Sequence, residues 1–209
     1  MAIAENVHEY IEKQRNAVAA NPECGMSHYN LATALMGLGK LDEAEQELKE
    51  AIRCSPTLAE AYVQLGGICL HRGDLDGCLA YNEQSVKVRA GFFEGYGNIG
   101  FVQLQKGNID EAIYALEKAV RFNPNFIQAL ATLANAYLMK GDVDKSIEIN
   151  LQAIEIDPRF PLAHNNLAIS YLEKNEYELA EKHCNKAIEL GYEVAPEIKK
   201  EIERHATDK

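Results

Sequence analysis

No run of roughly 20 apolar residues, the length a helix needs to cross a bilayer, occurs anywhere in the chain. The opening residues, Met1-Ala2-Ile3-Ala4-Glu5-Asn6, carry neither a basic leader nor an apolar stretch, so no secretory signal is read and a cytoplasmic location is expected. Basic charge is scarce: 21 Lys and Arg stand against 32 Asp and Glu, a net charge of -11. Nucleic-acid binding rests on cations that neutralise phosphates, and no basic block is present to supply them. An anionic membrane surface would repel the chain for the same reason, while basic or apolar protein partners are favoured. The cysteines, Cys24, Cys54, Cys69, Cys78 and Cys184, are odd in number and show no C-x-x-C spacing. Reduced thiols are therefore expected rather than a disulfide framework or a zinc site.

Catalytic signatures are missing as well. There is no nucleophile elbow, P-loop or H-E-x-x-H, so neither an enzyme nor a metal or other cofactor is expected. Gly95-Tyr96-Gly97-Asn98-Ile99-Gly100 spells the dinucleotide fingerprint, but that motif works only after a strand and at the opening of a helix. A helical pattern precedes it here, and Gly100 reads as a small packing residue. His183-Cys184 is no dyad, because neighbours on a helix point about 100° apart. His28 and His164 read as packing residues, and Cys69 and Cys78 as small apolar ones on facing helices.

What the chain does have is repetition. With 47% hydrophobic and 25% charged residues it is composed like a folded protein, and shifting it by 34 residues aligns column after column. Five units follow without insertion: 25–58, 59–92, 93–126, 127–160 and 161–194. The seventh place reads Leu31, Leu65, Ile99, Leu133, Leu167, and the eighth is always small: Ala32, Gly66, Gly100, Ala134, Ala168. Small residues return at Ala44, Cys78, Ala112, Ser146 and Ala180, allowing two antiparallel helices to approach closely. Gly39, Gly73, Gly107, Gly141 and then Asn175 supply a left-handed stop for each first helix. Asp42, Asp76, Asp110, Asp144 and Glu178 open each second helix, where negative charge suits the dipole. Pro56, Pro124 and Pro158 close three units.

This pattern resembles the tetratricopeptide repeat, a helix–turn–helix of the same period with an L-G-x-x-Y core, matched in Tyr96…Ile99-Gly100 and Leu133-Ala134…Tyr137. The resemblance implies an all-α superhelical solenoid of five hairpins forming a right-handed arc. Residues 1–24 and 195–209 then supply N- and C-terminal capping helices, since solenoid ends need polar covers. In the first of these, Val7, Tyr10, Ile11, Gln14, Ala17 and Val18 share one face; in the last, Ile198 and Ile202 do. Departures gather in the second unit, with Cys78, Asn82, Ser85 and Ala90 where Ala, an aromatic, Ala and Pro are usual.

The family's geometry places the first helices along a concave groove that binds a partner peptide. The sixth place, Asn30, Gln64, Asn98, Thr132 and Asn166, offers a ladder of hydrogen-bonding side chains. The twelfth place, Met36, Leu70, Leu104, Leu138 and Leu172, is apolar throughout, and Tyr29, Val63, Phe101, Asn135 and Ile169 lie beside these rows. Gly67 and Gly97 leave room for a ligand side chain next to Gln64 and Phe101. A dicarboxylate clamp, which in this family uses Lys and Arg, is not expected, because the matching places hold Tyr29, Thr33, Glu60, Gln64, Glu94 and Asn98. Glu60, Glu94 and Glu173 instead favour an apolar ligand with basic flanks. The expected function is therefore a non-catalytic adaptor for a protein or peptide ligand. The alternative is a self-associating scaffold, a homodimer in its simplest form, built through the end caps or the groove.

Overall fold

The computed structural model describes the backbone of residues 2–206 and the side chains of residues 8–205. Among these residues there are twelve helices and no strand. They are α1 (Ala2–Ala20), α2 (Gly25–Gly37), α3 (Leu41–Cys54), α4 (Ala59–His71), α5 (Leu75–Val88), α6 (Phe93–Gln105), α7 (Ile109–Phe122), α8 (Ile127–Lys140), α9 (Val143–Ile156), α10 (Pro161–Glu173), α11 (Tyr177–Glu189) and α12 (Pro196–Ala206). The chain forms two compact units, Met1–Asn98 and Ile99–Lys209, which divide within α6.

Each first helix stops where its sequence says it should. Gly39, Gly73, Gly107 and Gly141 take φ of 72°, 77°, 79° and 86°, and Asn175 takes φ 59° in the same role. Only glycine adopts this region without a Cβ penalty, with Asn the next most tolerant. At the start of second helices, Asp74 Oδ1 accepts from Gly77 N at 2.8 Å and Asp142 Oδ1 from Lys145 N at 3.3 Å, satisfying amides that have no partner inside the helix.

In the first unit α2 packs on α3 and α4 on α5, around Leu31, Leu35, Leu48, Leu65 and Ile68. Ala32, Ala44 and Ala51 are wholly buried where these helices meet. Full burial of one Leu or Ile contributes about 1.5–3 kcal/mol, so this row dominates the unit's stability. From α1, Ile11 enters the same core and Val18 packs on its edge, whereas Tyr10 stays half exposed; the side chain of Val7 lies outside the described residues. In the second unit α8, α9, α10 and α11 pack in succession through Ala131, Ala134, Ala153, Ala163 and Ala168. The closing helix α12 packs on α11, burying Ile202 with Val194 and Cys184 and leaving Ile198 on the cluster's edge.

The departures in the repeat at 59–92 compensate one another. Asn82, where an aromatic is usual, is wholly buried and donates from Nδ2 to Cys78 O at 2.8 Å. Its amide fills the space beside Gly66: a Cβ there would lie 2.4 Å from Nδ2. Ser85 likewise stands against Gly95, whose Cβ would meet Ser85 Oγ at 2.2 Å. Polar groups on the second helix thus require missing Cβ atoms on the first helices they face.

A row of ion pairs joins successive hairpins within each unit. Arg72 Nη2 meets Asp42 Oδ1 at 2.6 Å in the first, while Lys140 Nζ meets Asp110 Oδ1 at 2.6 Å and Lys174 Nζ meets Asp144 Oδ1 at 2.8 Å in the second. The aspartates at the helix starts therefore serve the next hairpin as well as their own dipole. All these groups are well exposed, so each pair is worth little. Lys174→Ala is expected to leave stability almost unchanged, and urea midpoints of wild type and variant should converge at high salt.

Candidate functional site

The first-helix faces hold the residues that the sequence nominates. In the first unit, α2 presents Asn30 exposed to solvent, with Tyr29 and Met36 half-buried at the edge of the core. Helix α4 presents Val63, Gln64 and Leu70 half-buried and Gly67 exposed; Gly97 and Asn98, on the α6 segment of this unit, are half-buried. In the second unit, Phe101 is exposed and Leu104 buried. Thr132, Asn135 and Leu138 of α8 and Ile169 and Leu172 of α10 are half-buried, and Asn166 is buried. Most of the nominated residues thus border the core without being covered by it, while Leu104 and Asn166 belong to the interior.

Three members of the ladder have partners inside the chain. Asn98 Nδ2 donates to Asn82 Oδ1 at 3.0 Å, Thr132 Oγ1 donates to Gln128 O at 2.8 Å, and Asn166 Nδ2 donates to Ala131 O at 3.2 Å. Asn150 repeats Asn82 one hairpin pair later, donating to Ser146 O at 3.0 Å. Its Oδ1 is buried with no hydrogen-bond partner, because Asn166 has turned to the Ala131 carbonyl instead. Ser146 and Ser170 share a further buried hydrogen bond at 3.0 Å. Asn82, Ser146 and Asn150 on the second helices were not nominated as site residues from sequence. The signal was available: Asn82 and Asn98 are 16 residues apart, and so are Asn150 and Asn166.

Charge on these faces is partly neutralised within the chain. Glu60 takes both arms of the Arg89 guanidinium, with Arg89 Nη2 to Glu60 Oε2 at 2.8 Å, and Arg89 holds the Glu60 carboxyl below its ordinary range. Glu94 buries Oε2 with no hydrogen-bond partner. Glu173 remains exposed.

The two histidines at the fourth place of their repeats are fixed by both ring nitrogens. His28 Nε2 faces Pro22 O at 2.8 Å and Nδ1 faces Glu47 Oε2 at 2.6 Å. Burial opposes a charge on His28, but the carboxylate and the carbonyl outweigh it and the net shift is upward. His164 Nε2 likewise faces Pro158 O at 3.0 Å, while its Nδ1 meets His183 Nδ1 at 3.0 Å. Burial, then the neighbouring His164 and Lys182, push His183 down to about 4. Tyr137 donates to Glu117 Oε1 at 2.6 Å, and burial together with that carboxylate raises it to about 12. Each of these groups is spent on internal packing.

Among the described residues no group of three or more His, Cys, Asp or Glu could hold a metal ion, and no helix is long and apolar enough to cross a membrane. All five cysteines are free; burial raises the Cys69, Cys78 and Cys184 thiols away from the reactive thiolate form. Gly95 and Gly100 meet Ser85 and Leu116 side chains where a Cβ would be, so these two fingerprint glycines serve helix packing. Two clefts flank α12. One of about 490 Å³ is lined by Tyr177, Leu179, Ile202 and His205, and one of about 460 Å³ runs between α10 and α12.

Comparison with known proteins agrees with this architecture. Sequence models described as tetratricopeptide repeat match residues 15–59, 103–164 and 161–190. No curated protein matches the chain. Among solved structures, YrrB, described as a TPR protein with an unusual peptide-binding site, is 21% identical over 86% of this chain and 93% of its own, with a TM-score of 0.69. A MamA fragment from Desulfovibrio magneticus RS-1 is 25% identical over 80% of this chain and 94% of its own, with a TM-score of 0.70. Pseudomonas aeruginosa pilF is 14% identical over 100% of this chain and 92% of its own, with a TM-score of 0.80. The likeness to these structures is one of fold.

Proposed function

Because the chain belongs to the tetratricopeptide repeat family, we propose that it is a non-catalytic adaptor holding a segment of a partner protein against its first-helix faces. Stacked helical hairpins characteristically bind through extended surfaces of this kind. The observation that carries the reading is the half-exposed row of Tyr29, Asn30, Met36, Val63, Gln64, Gly67 and Leu70 in the first unit. It continues in kind in the second unit with Phe101, Thr132, Asn135, Leu138, Ile169 and Leu172. Apolar surface of this extent beside hydrogen-bonding side chains suits an extended or helical peptide, since large exposed apolar patches are rare without a partner. The peptide-binding site named for YrrB supports the same reading by analogy.

Gly67 provides the test, because nothing lies within 4 Å of the place its Cβ would occupy. Gly67→Leu should fold as well as wild type, gaining up to about 1 kcal/mol of helix propensity, while the added side chain covers the face beside Gln64 and Val63. Peptides selected on the wild-type protein from a displayed random library are expected to bind this variant about tenfold more weakly or worse, a loss of about 1.4 kcal/mol. Undiminished binding of every selected peptide would remove α4 from the site. Sedimentation equilibrium on the same samples distinguishes the adaptor, a monomer, from the self-associating scaffold, which grows with concentration.

A further inference from the structure

Helix α12 covers the end of the last hairpin unevenly. Ile202 is buried against α11 with Ala180, Cys184 and Ala187, and this contact fixes the helix. On the other side a cleft of about 460 Å³ stays open between α10 and α12. Its floor is apolar, formed by Ile169 and Leu172 of α10 and Ile198 of α12, all half-buried. Its rim carries Glu173, Glu197 and Glu201, and no Lys or Arg lines it.

The rim charge is available. Glu201 shares its carboxylate with Arg204 and His205, each at 3.2 Å, but Glu173 and Glu197 are exposed and make no ion pair among the described residues. Asp110 and Asp144 of the same unit, by contrast, are paired with Lys140 and Lys174. The carboxylates ring an apolar floor rather than converge on one point, so the arrangement suits an amphipathic side-chain pair rather than a metal ion. A cavity of this size accepts a large side chain together with the adjoining backbone.

We propose that this cleft is the specificity pocket of the adaptor. It takes one large aliphatic or aromatic side chain of a partner segment whose neighbouring Lys or Arg residues pair with Glu173 and Glu197. The proposal rests on the peptide-binding reading above and adds to it where the segment is anchored and by what chemistry. Charge complementarity carries the choice of occupant. An acidic segment would be repelled by three carboxylates, and an uncharged one would leave them without a role, whereas a basic one is steered in and held in register.

The test is selection of a random peptide library displayed on phage against the full chain, followed by fluorescence anisotropy of the enriched peptides. Wild type is compared with E173Q/E197Q and with E197K; all three changes lie at exposed positions and leave the floor intact. Enriched peptides should carry a large apolar residue next to Lys or Arg. Their affinity should fall about five- to tenfold in E173Q/E197Q, further in E197K, and with rising salt, as expected for two exposed ion pairs. Enriched peptides without basic residues, or binding to both variants within about twofold of wild type, would overturn the pocket while leaving the adaptor reading standing. Self-association abolished by the same variants would assign the cleft to a second copy of the chain and overturn it too. If no peptide is enriched at all, the pocket and the adaptor reading fall together.

Discussion

Gly66→Ala is expected to destabilise the protein by about 2–3 kcal/mol, although Ala is ordinarily the better helix former by about 1 kcal/mol. The added Cβ would stand 2.4 Å from Asn82 Nδ2 and 3.3 Å from Cys78 O. The Asn82 amide cannot swing aside freely. It is wholly buried, donates to Cys78 O at 2.8 Å and accepts from Asn98 Nδ2 at 3.0 Å. Moving it breaks hydrogen bonds whose loss inside a core costs about 1–3 kcal/mol. Gly67, the next residue, meets nothing within 4 Å, so Gly67→Ala should be neutral or stabilising. Two adjacent glycines in one helix should therefore respond with opposite signs. Combining Gly66→Ala with Asn82→Ala should recover at least about 1 kcal/mol relative to the sum of the single changes, because the clash needs both side chains. Urea denaturation followed by circular dichroism compares wild type with the four variants Gly66→Ala, Gly67→Ala, Asn82→Ala and Gly66→Ala/Asn82→Ala. Simple additivity would mean that some other contact, not the Asn82 amide, makes a residue larger than glycine costly at this position.

That node marks the boundary of what the sequence makes legible. Helix stops at Gly39, Gly73, Gly107, Gly141 and Asn175 depend only on local backbone conformation, and they could be placed from one column of letters. The small residues at Ala32, Ala134 and Ala168 were equally readable, since close helix approach leaves no other choice at those places. Asn82 was legible as a departure from the family pattern but not as a cause. That Gly66 and Gly95 answer to Asn82 and Ser85 is a matter of which atoms share a volume, and no period in the sequence records it. The candidate site shows the same division. Asn30 and Gly67 are open to solvent as the helical period suggests, yet Asn166 is drawn inward by the Ala131 carbonyl and Leu104 by its packing. Glu60 looked available to a basic ligand until its bidentate pairing with Arg89 was seen. The period places a side chain on a face; the neighbouring hairpin decides whether it is free there.

The largest expected response to solution conditions lies at His183. Its ring stacks between His164, with centroids 5.3 Å apart, and Tyr171, at 5.6 Å. Because His164 Nε2 faces the Pro158 carbonyl, His164 donates there and keeps Nδ1 as an acceptor for the Nδ1–H of His183. Burial disfavours a charge on His183, and the neighbouring His164 and the positive Lys182 add to it, so the folded value falls to about 4 from an ordinary 6.5. Below pH 6.5 the unfolded chain takes up a proton that the folded one refuses. Stability from this site is therefore fully present above 6.5 and drains away as the pH falls toward 4. Between pH 7 and pH 5 the loss should be about 2 kcal/mol. His28 works in the opposite sense: held above its ordinary value by Glu47 and the Pro22 carbonyl despite burial, it stabilises most below 6.5 and loses that contribution as pH rises through its folded value. Since His28 and His183 lie in different compact units, amide hydrogen exchange at the two pH values should show protection falling in the second unit and holding or rising in the first. His183→Asn keeps a side-chain donor for His164 but cannot titrate, and it should flatten the acid loss while leaving the His28 response in place. Equal loss of protection in wild type and His183→Asn would show that the acid sensitivity comes from the carboxylates instead.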